Sequence, residues 1–171
     1  MDADRTVLVG GDEARPSNLD ALAQSNLNAF LMCVRACEGT AGPDGYRTLF
    51  GGKLFDDFAE HPNVRTSFRQ TDGTYGFTTA AGAYQIIFST WDRLRRKLGL
   101  PDFSPASQDR AAIELITERN ALDAARAGDV REAIGKCWPV WASLPGSTYL
   151  QPTRAEAFAL NAYTDAGGVI V

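Results

Sequence analysis

Glu38 sits where a carboxyl group can act as an acid. It closes a segment in which Leu27, Phe30, Leu31 and Val34 recur at helical spacing, and Gly39-Thr40 follows it. A carboxyl at that point faces the mouth of a cleft between apolar walls. Poor solvation disfavours its charged form, raises its pKa and keeps it protonated near neutral pH, as a general acid must be. Asp44, Asp56 and Asp57 are close enough in sequence to supply a second carboxylate, although each also fits an ordinary turn or strand-end role. Cys33, Cys37, Cys137 and His61 lack the spacing of a common zinc site, so no metal is expected, and no cofactor either. Cys33 and Cys37 lie on one helical face, where a bridge between them is disfavoured. The three cysteines read as buried or half-buried free thiols, and His61 before Pro62 as a loop contact.

The elements that must position Glu38 follow from periodicity. A helix is predicted from about residue 19 to 37, with a break near Ser25-Asn26 as the alternative, Ser17 or Asn18 as its N-cap and Gly39 as its stop. Residues 40–85 are rich in Gly, Thr and aromatics. Tyr46 to Phe58 and Thr74 to Phe77 read as short strands or ordered loops around the turn signals Gly51-Gly52 and Asp72-Gly73. Helical spacing returns at Gln85 and runs to Gly99 through Ile86, Ile87, Thr90, Trp91, Leu94 and Leu98. The accompanying Arg93, Arg95, Arg96 and Lys97 read as a solvated face, with attraction to an acidic polymer as the alternative. Ser104 caps the next helix with Pro105 at its first position. Short helices are predicted near 129–136 and 138–143, and a last one from about Thr153 to Ala166. Trp91, Trp138, Trp141 and Tyr163 read as core. Residues 1–26 form an extension and the start of the first helix, with a short strand at Thr6-Val9; residues 27–171 form one catalytic domain. The layout is α+β, mainly helical, with a small β-rich lobe and a cleft between lobes.

Bulk composition narrows the classes. The chain has 171 residues and a net charge of −4, which argues against nucleic acid or an anionic membrane as partner. No stretch is long and apolar enough to span a bilayer, and Met1-Asp2-Ala3-Asp4-Arg5 lacks the apolar core of a secretory signal. If the protein works outside the cytoplasm, something else must release it there; a monomer is expected.

Four segments carry a family resemblance. They are Cys37-Glu38-Gly39-Thr40; Gly51-Gly52-Lys53-Leu54-Phe55-Asp56-Asp57-Phe58 with His61-Pro62; Thr79-Ala80-Ala81-Gly82-Ala83-Tyr84-Gln85 leading through Trp91-Asp92 to Leu98-Gly99-Leu100-Pro101-Asp102-Phe103-Ser104-Pro105 and Ser107-Gln108-Asp109; and Trp141-Ala142-Ser143-Leu144-Pro145-Gly146. In order and approximate spacing, the stretch from Leu27 to Gly168 resembles the family of phage lambda-type lysozymes, which are lytic transglycosylases. The resemblance implies a lysozyme-like fold, Glu38 as the catalytic acid/base, and a peptidoglycan glycan strand as substrate. Thr79-x-x-Gly82-x-x-Gln85 is similar to the Ser-x-x-Gly-x-x-Gln pattern of several transglycosylases. On this basis Thr79, Gly82, Tyr84 and Gln85 are expected at the substrate, Gly82 for close backbone approach and Gln85 for its paired donors and acceptors. Tyr46 and Tyr149, in Gly- and Pro-rich loops, are candidates for stacking on a sugar. The loop from Ala41 to Arg47 departs from the family pattern.

Phage lysozymes that use water place an aspartate where this chain has Arg47. Hydrolases need that second carboxylate to activate water or attack the sugar. A transglycosylase does not, because the C6 hydroxyl of the same muramic acid is its nucleophile and is already held close. Two alternatives remain at this level: a hydrolytic muramidase using Asp44, Asp56 or Asp57, and a non-catalytic glycan-binding module of a virion.

Overall fold

A computed structural model describes residues 17–70, 73–148 and 153–171. The expected strand at Thr6-Val9 and the candidate Tyr149 lie outside them. Helix α1 (Asn18–Glu38) begins with a reciprocal cap: the Ser17 hydroxyl accepts from the Asp20 N–H at 3.1 Å, and the Asp20 carboxylate accepts from the Ser17 N–H at 3.2 Å. The helix passes through Ser25-Asn26 without a break. Asn26 explains the continuity. Its side chain is buried and bonds outside the helix, donating to the Arg126 carbonyl and accepting from the Val169 N–H, so it does not compete for α1's own backbone. Gly39 ends α1 at φ 78°, a left-handed conformation that side chains disfavour, and the next N–H, of Thr40, returns to the Arg35 carbonyl at 2.8 Å.

The α1 face bearing Leu27, Phe30, Leu31, Val34, Cys33 and Cys37 is buried in the core. It packs chiefly on α4 (Leu122–Ala127) and α6 (Glu156–Asp165). Helix α3 (Pro105–Glu118) supplies Ala111, Ala112, Leu115 and Ile116 to the same core, and α5 (Val130–Cys137) supplies Val130, Ala133 and Ile134. Ser104 caps α3 with Pro105 at its start, as the sequence predicts. All three cysteines are free and buried.

The β lobe is smaller than its composition suggests. Strands β1 (Thr66–Arg69) and β2 (Tyr75–Thr78) pair antiparallel, with Thr66 opposite Thr78 and Arg69 opposite Tyr75. Residues 46–58 contain no strand. They hold a 3₁₀ turn at Gly45–Arg47 and an isolated bridge from Thr48 to Leu54. Three expectations about helices need correction. Helix α2 spans Phe88–Leu98, so Gln85 lies before it. Gln85 has φ 46°, and Ile86 is paired with Ala81 rather than wound into a helix. Residues 138–143 form turns and not a helix, and α6 starts at Glu156. The basic residues of α2 are tied up on the surface: Arg93 and Lys97 pair with Glu118, Lys97 also with Glu114, and Arg95 and Arg96 with Asp92.

Candidate active site

Three segments meet at Glu38. The first is the C-terminal end of α1, which Gly39 stops abruptly. The second is the turn at residues 81–86. The Thr40 hydroxyl donates to the Ala83 carbonyl at 2.5 Å and fixes this turn against the end of α1. The third is the turn at residues 138–143, where the Trp141 indole N–H donates to the Tyr84 carbonyl at 3.0 Å. Both links are buried, where a hydrogen bond is costly to leave unmade.

Glu38 opens into a cavity of about 230 Å³. Phe50, Phe68, Thr78 and Ala80 form the wall on the β side, Val140, Trp141, Ala142 and Ser143 the opposite wall, and Gln85 and Ile87 complete the lining. Glu38 is the only ionisable side chain among these residues. Burial among apolar groups raises its pKa to about 6, against a lowering pull from the Ser143 hydroxyl, which donates to Oε1 at 2.6 Å. A carboxyl so poised carries a proton in mildly acidic solution and loses it near neutrality, which suits a group that must first give a proton and then take one.

The second carboxylates considered from sequence are elsewhere. Asp56 accepts from Arg47 at 2.8 Å with its side chain 98% exposed. Asp57 caps the Ala59 N–H at 2.8 Å, and Asp44 is exposed beside the 3₁₀ turn. None lines the Glu38 cavity. Arg47 holds the chain in place as well, donating from Nε to the Phe55 carbonyl at 3.0 Å. His61 is buried and accepts the Asn63 N–H on Nδ1 at 3.0 Å, so Nε2 carries the proton that meets the Ile86 carbonyl at 2.8 Å. Burial lowers its pKa and favours this neutral form.

The remaining sequence candidates separate into lining and support. Gln85 lines the cavity, and its Nε2 donates to the Thr48 and Gly82 carbonyls, each at 3.0 Å. Thr79 lies in an adjoining hollow with Phe77, Thr78 and Ile87, and its hydroxyl accepts from the Phe88 N–H at 2.9 Å. Tyr84 is 1% exposed, and its hydroxyl donates to Asp109 Oδ1 at 2.6 Å. Tyr46, half-buried, donates to the same oxygen at 2.8 Å. These two tyrosines brace the cleft from behind. Burial comes first in raising both phenols, so both stay protonated donors. Gly82 is also internal. At φ 78°, a Cβ there would lie 2.2 Å from Gln108 Oε1, so its role in the fold is to make room for Gln108.

Gln108, Asp109 and Ser143 received no role from sequence. Gln108 is 1% exposed; its Oε1 accepts from the Ala83 N–H at 2.8 Å, and its Nε2 donates to the Phe103 and Tyr46 carbonyls at 2.8 and 3.0 Å. It joins α3 to the turn at residues 81–86 and to the 3₁₀ turn at Gly45–Arg47. All three residues lie within segments that carried the family resemblance, which is the signal that could have selected them.

Comparisons with known proteins identify the family. Residues 28–170 match the family model described as Endolysin. The chain is 39% identical over 155 residues to the endolysin of Escherichia phage P2, a match covering 84% of this chain and 94% of that protein. It is 40% identical over 148 residues to the endolysin of Escherichia phage lambda, covering 83% and 91%. Its fold is similar to a bacteriophage lambda lysozyme complexed with a chitohexasaccharide, with a TM-score of 0.79 and 36% identity over 86% of this chain and 97% of that one. A second structure of lysozyme from bacteriophage lambda gives a TM-score of 0.74 over the same shares. The α+β architecture is thus lysozyme-like, and the chain belongs to the endolysin family.

Proposed function

We propose that this endolysin is a peptidoglycan lytic transglycosylase that cleaves the MurNAc–β-1,4–GlcNAc bond, with Glu38 as its single acid/base. The observation that carries this reading is Glu38 alone: a half-buried carboxyl with a raised pKa in a cavity whose walls, among the described residues, hold no second carboxylate. Protonated Glu38 gives its proton to the glycosidic oxygen as the bond from C1 of muramic acid breaks. The resulting carboxylate takes the proton of the C6 hydroxyl as that oxygen bonds to C1. Glu38 ends as it began, and the product is a 1,6-anhydro sugar. The second step needs no bound water, since the nucleophile belongs to the reacting ring.

Gln85 is the polar contact proposed for the sugar amides, and Thr79 a further contact from the adjoining hollow. The chitohexasaccharide held by the lambda lysozyme supports a glycan strand as the ligand. Residues 27–171 are taken as the catalytic unit, acting as a monomer on the periplasmic wall after synthesis in the host cytoplasm. Among the described residues no helix is long and apolar enough to cross a membrane.

Mass spectrometry of digested peptidoglycan tests the chemistry. Anhydro-muramic ends, one water lighter than hydrolytic products, are expected. Reducing muramic acid ends would overturn the transglycosylase reading in favour of a hydrolase.

A further inference from the structure

Past Gln85 and Ile87 the cleft continues into a second and larger cavity of about 510 Å³. The two cavities share Gln85, Ile87, Val140 and Trp141 in their walls, so they adjoin, and a ligand seated at Glu38 has the second within reach. Their chemistry differs. Among the described residues Glu38 is the only ionisable group lining the first, whereas Arg93, Glu118 and Arg119 line the second. Glu118 is already engaged. Its oxygens accept from both terminal nitrogens of Arg93, at 2.6 and 2.8 Å, and from Lys97 at 2.9 Å. The Arg93 hydrogen bonds hold its pKa at about 2, so it stays ionised and neutralises its partner. Arg119 is the charge left over. Its Nε donates to the Lys136 carbonyl at 3.0 Å, which fixes the guanidinium, and it makes no ion pair among the described residues.

We infer that this second cavity binds a carboxylate of the peptide stem carried by muramic acid, with Arg119 as the anchoring cation. The inference rests on the peptidoglycan reading above. The sugar backbone of peptidoglycan is uncharged, and a neutral cavity suits it. The carboxylates hang from the lactyl group, a substituent's length to one side. A guanidinium presents forked donors that match a carboxylate in two hydrogen bonds. Arg119 is exposed and outside the core, so its replacement leaves the fold in place.

The test is binding to the Glu38→Gln protein, which does not consume its ligand, with and without Arg119→Gln. Three probes are compared: a GlcNAc–MurNAc fragment bearing tetrapeptide stems, the same fragment with the peptides removed, and chitohexaose. Arg119→Gln is expected to weaken the peptide-bearing fragment tenfold or more, as for hydrogen bonds to a charged group. Its effect on chitohexaose is expected to stay below about twofold, and Arg119→Lys is expected to restore part of the loss. Equal losses on all three probes, or none on any, would overturn the anchor. The same loss on the peptide-free fragment would overturn it too, since the lactyl carboxylate would then be the group recognised. Product analysis of the wild-type protein reads the chemistry separately, so anhydro products together with equal losses would reject the anchor alone.

Discussion

The Ser143 hydroxyl donates to Glu38 Oε1 at 2.6 Å, across 105 residues of sequence. The bond favours the ionised carboxylate, while burial favours the protonated form, and burial prevails. Removing the hydroxyl therefore raises the Glu38 pKa above about 6. With Glu38 as general acid, activity falls as pH rises through that pKa. Ser143→Ala is expected to move the basic limb of the kcat/KM profile upward by up to about one pH unit. A limb that stays fixed or moves down would show that Ser143 does not set this titration.

Glu38→Gln is expected to abolish lysis of permeabilised Gram-negative cells while glycan binding is retained. It also has a signature in stability. The folded pKa of Glu38 is raised, so its ionisation works against the fold. Below the unfolded value near 4.5 both states hold the proton and the penalty is absent; above about 6 it is fully present. The amide variant escapes it. Glu38→Gln should be more stable than wild type by roughly 2 kcal/mol at pH 7.5 and indistinguishable from it at pH 4. Urea unfolding at the two pH values measures the difference, and equal stabilities at pH 7.5 would contradict the desolvation account.

Asp109 Oδ1 accepts from both Tyr46 and Tyr84. Asp109→Ala leaves two phenols without their acceptor, one of them fully buried. The expected cost is roughly 2–4 kcal/mol in urea unfolding. Asp109→Asn keeps an acceptor oxygen and should cost clearly less. If both variants lose the same amount, the charge matters and the shared acceptor does not.

Gly82→Ala meets a left-handed backbone and a Cβ position 2.2 Å from Gln108 Oε1. A loss of roughly 2–4 kcal/mol is expected. Adding Gln108→Ala should not restore stability, because Gln108 makes three hydrogen bonds, to Ala83, Tyr46 and Phe103. Full rescue by the double variant would reduce Gln108 to a steric obstacle.

Some of this was legible in the chain and some was not, for identifiable reasons. Ser17, Gly39 and Ser104-Pro105 mark helix ends because capping is local chemistry, written within a few residues. The resemblance singled out Glu38, and it lies on a cavity wall. Gln85 was misread as helical because its apolar neighbours Ile86 and Ile87 continue the helical period; the pairing of Ile86 with Ala81 and the His61 contact prevail over it. Thr66–Arg69 escaped notice because Thr, Ser and Arg around one Phe give no clear alternation, and its partner strand supplies the order. Tyr84 and Gly82 looked like substrate contacts from a motif. Their surroundings come from Asp109 and Gln108, 25 or more residues away, which no local pattern reports. Ser143 acts only through a distant partner and carries no periodic signal.

The buried thiols bear on how the protein can be handled and where it can fold. Cys33 donates to the Ala159 carbonyl at 3.2 Å, and Cys37 and Cys137 are likewise enclosed in the core. No cross-link fastens the helices of the described residues; apolar burial and the hydrogen bonds around Asn26, Gln108 and Trp141 do so instead. Folding thus involves no disulfide, and neither an oxidant nor a disulfide isomerase has a bond to make. A solution rich in reducing thiols and one saturated with air leave the same set of bonds in place, and the enzyme can move from one to the other already in its working shape.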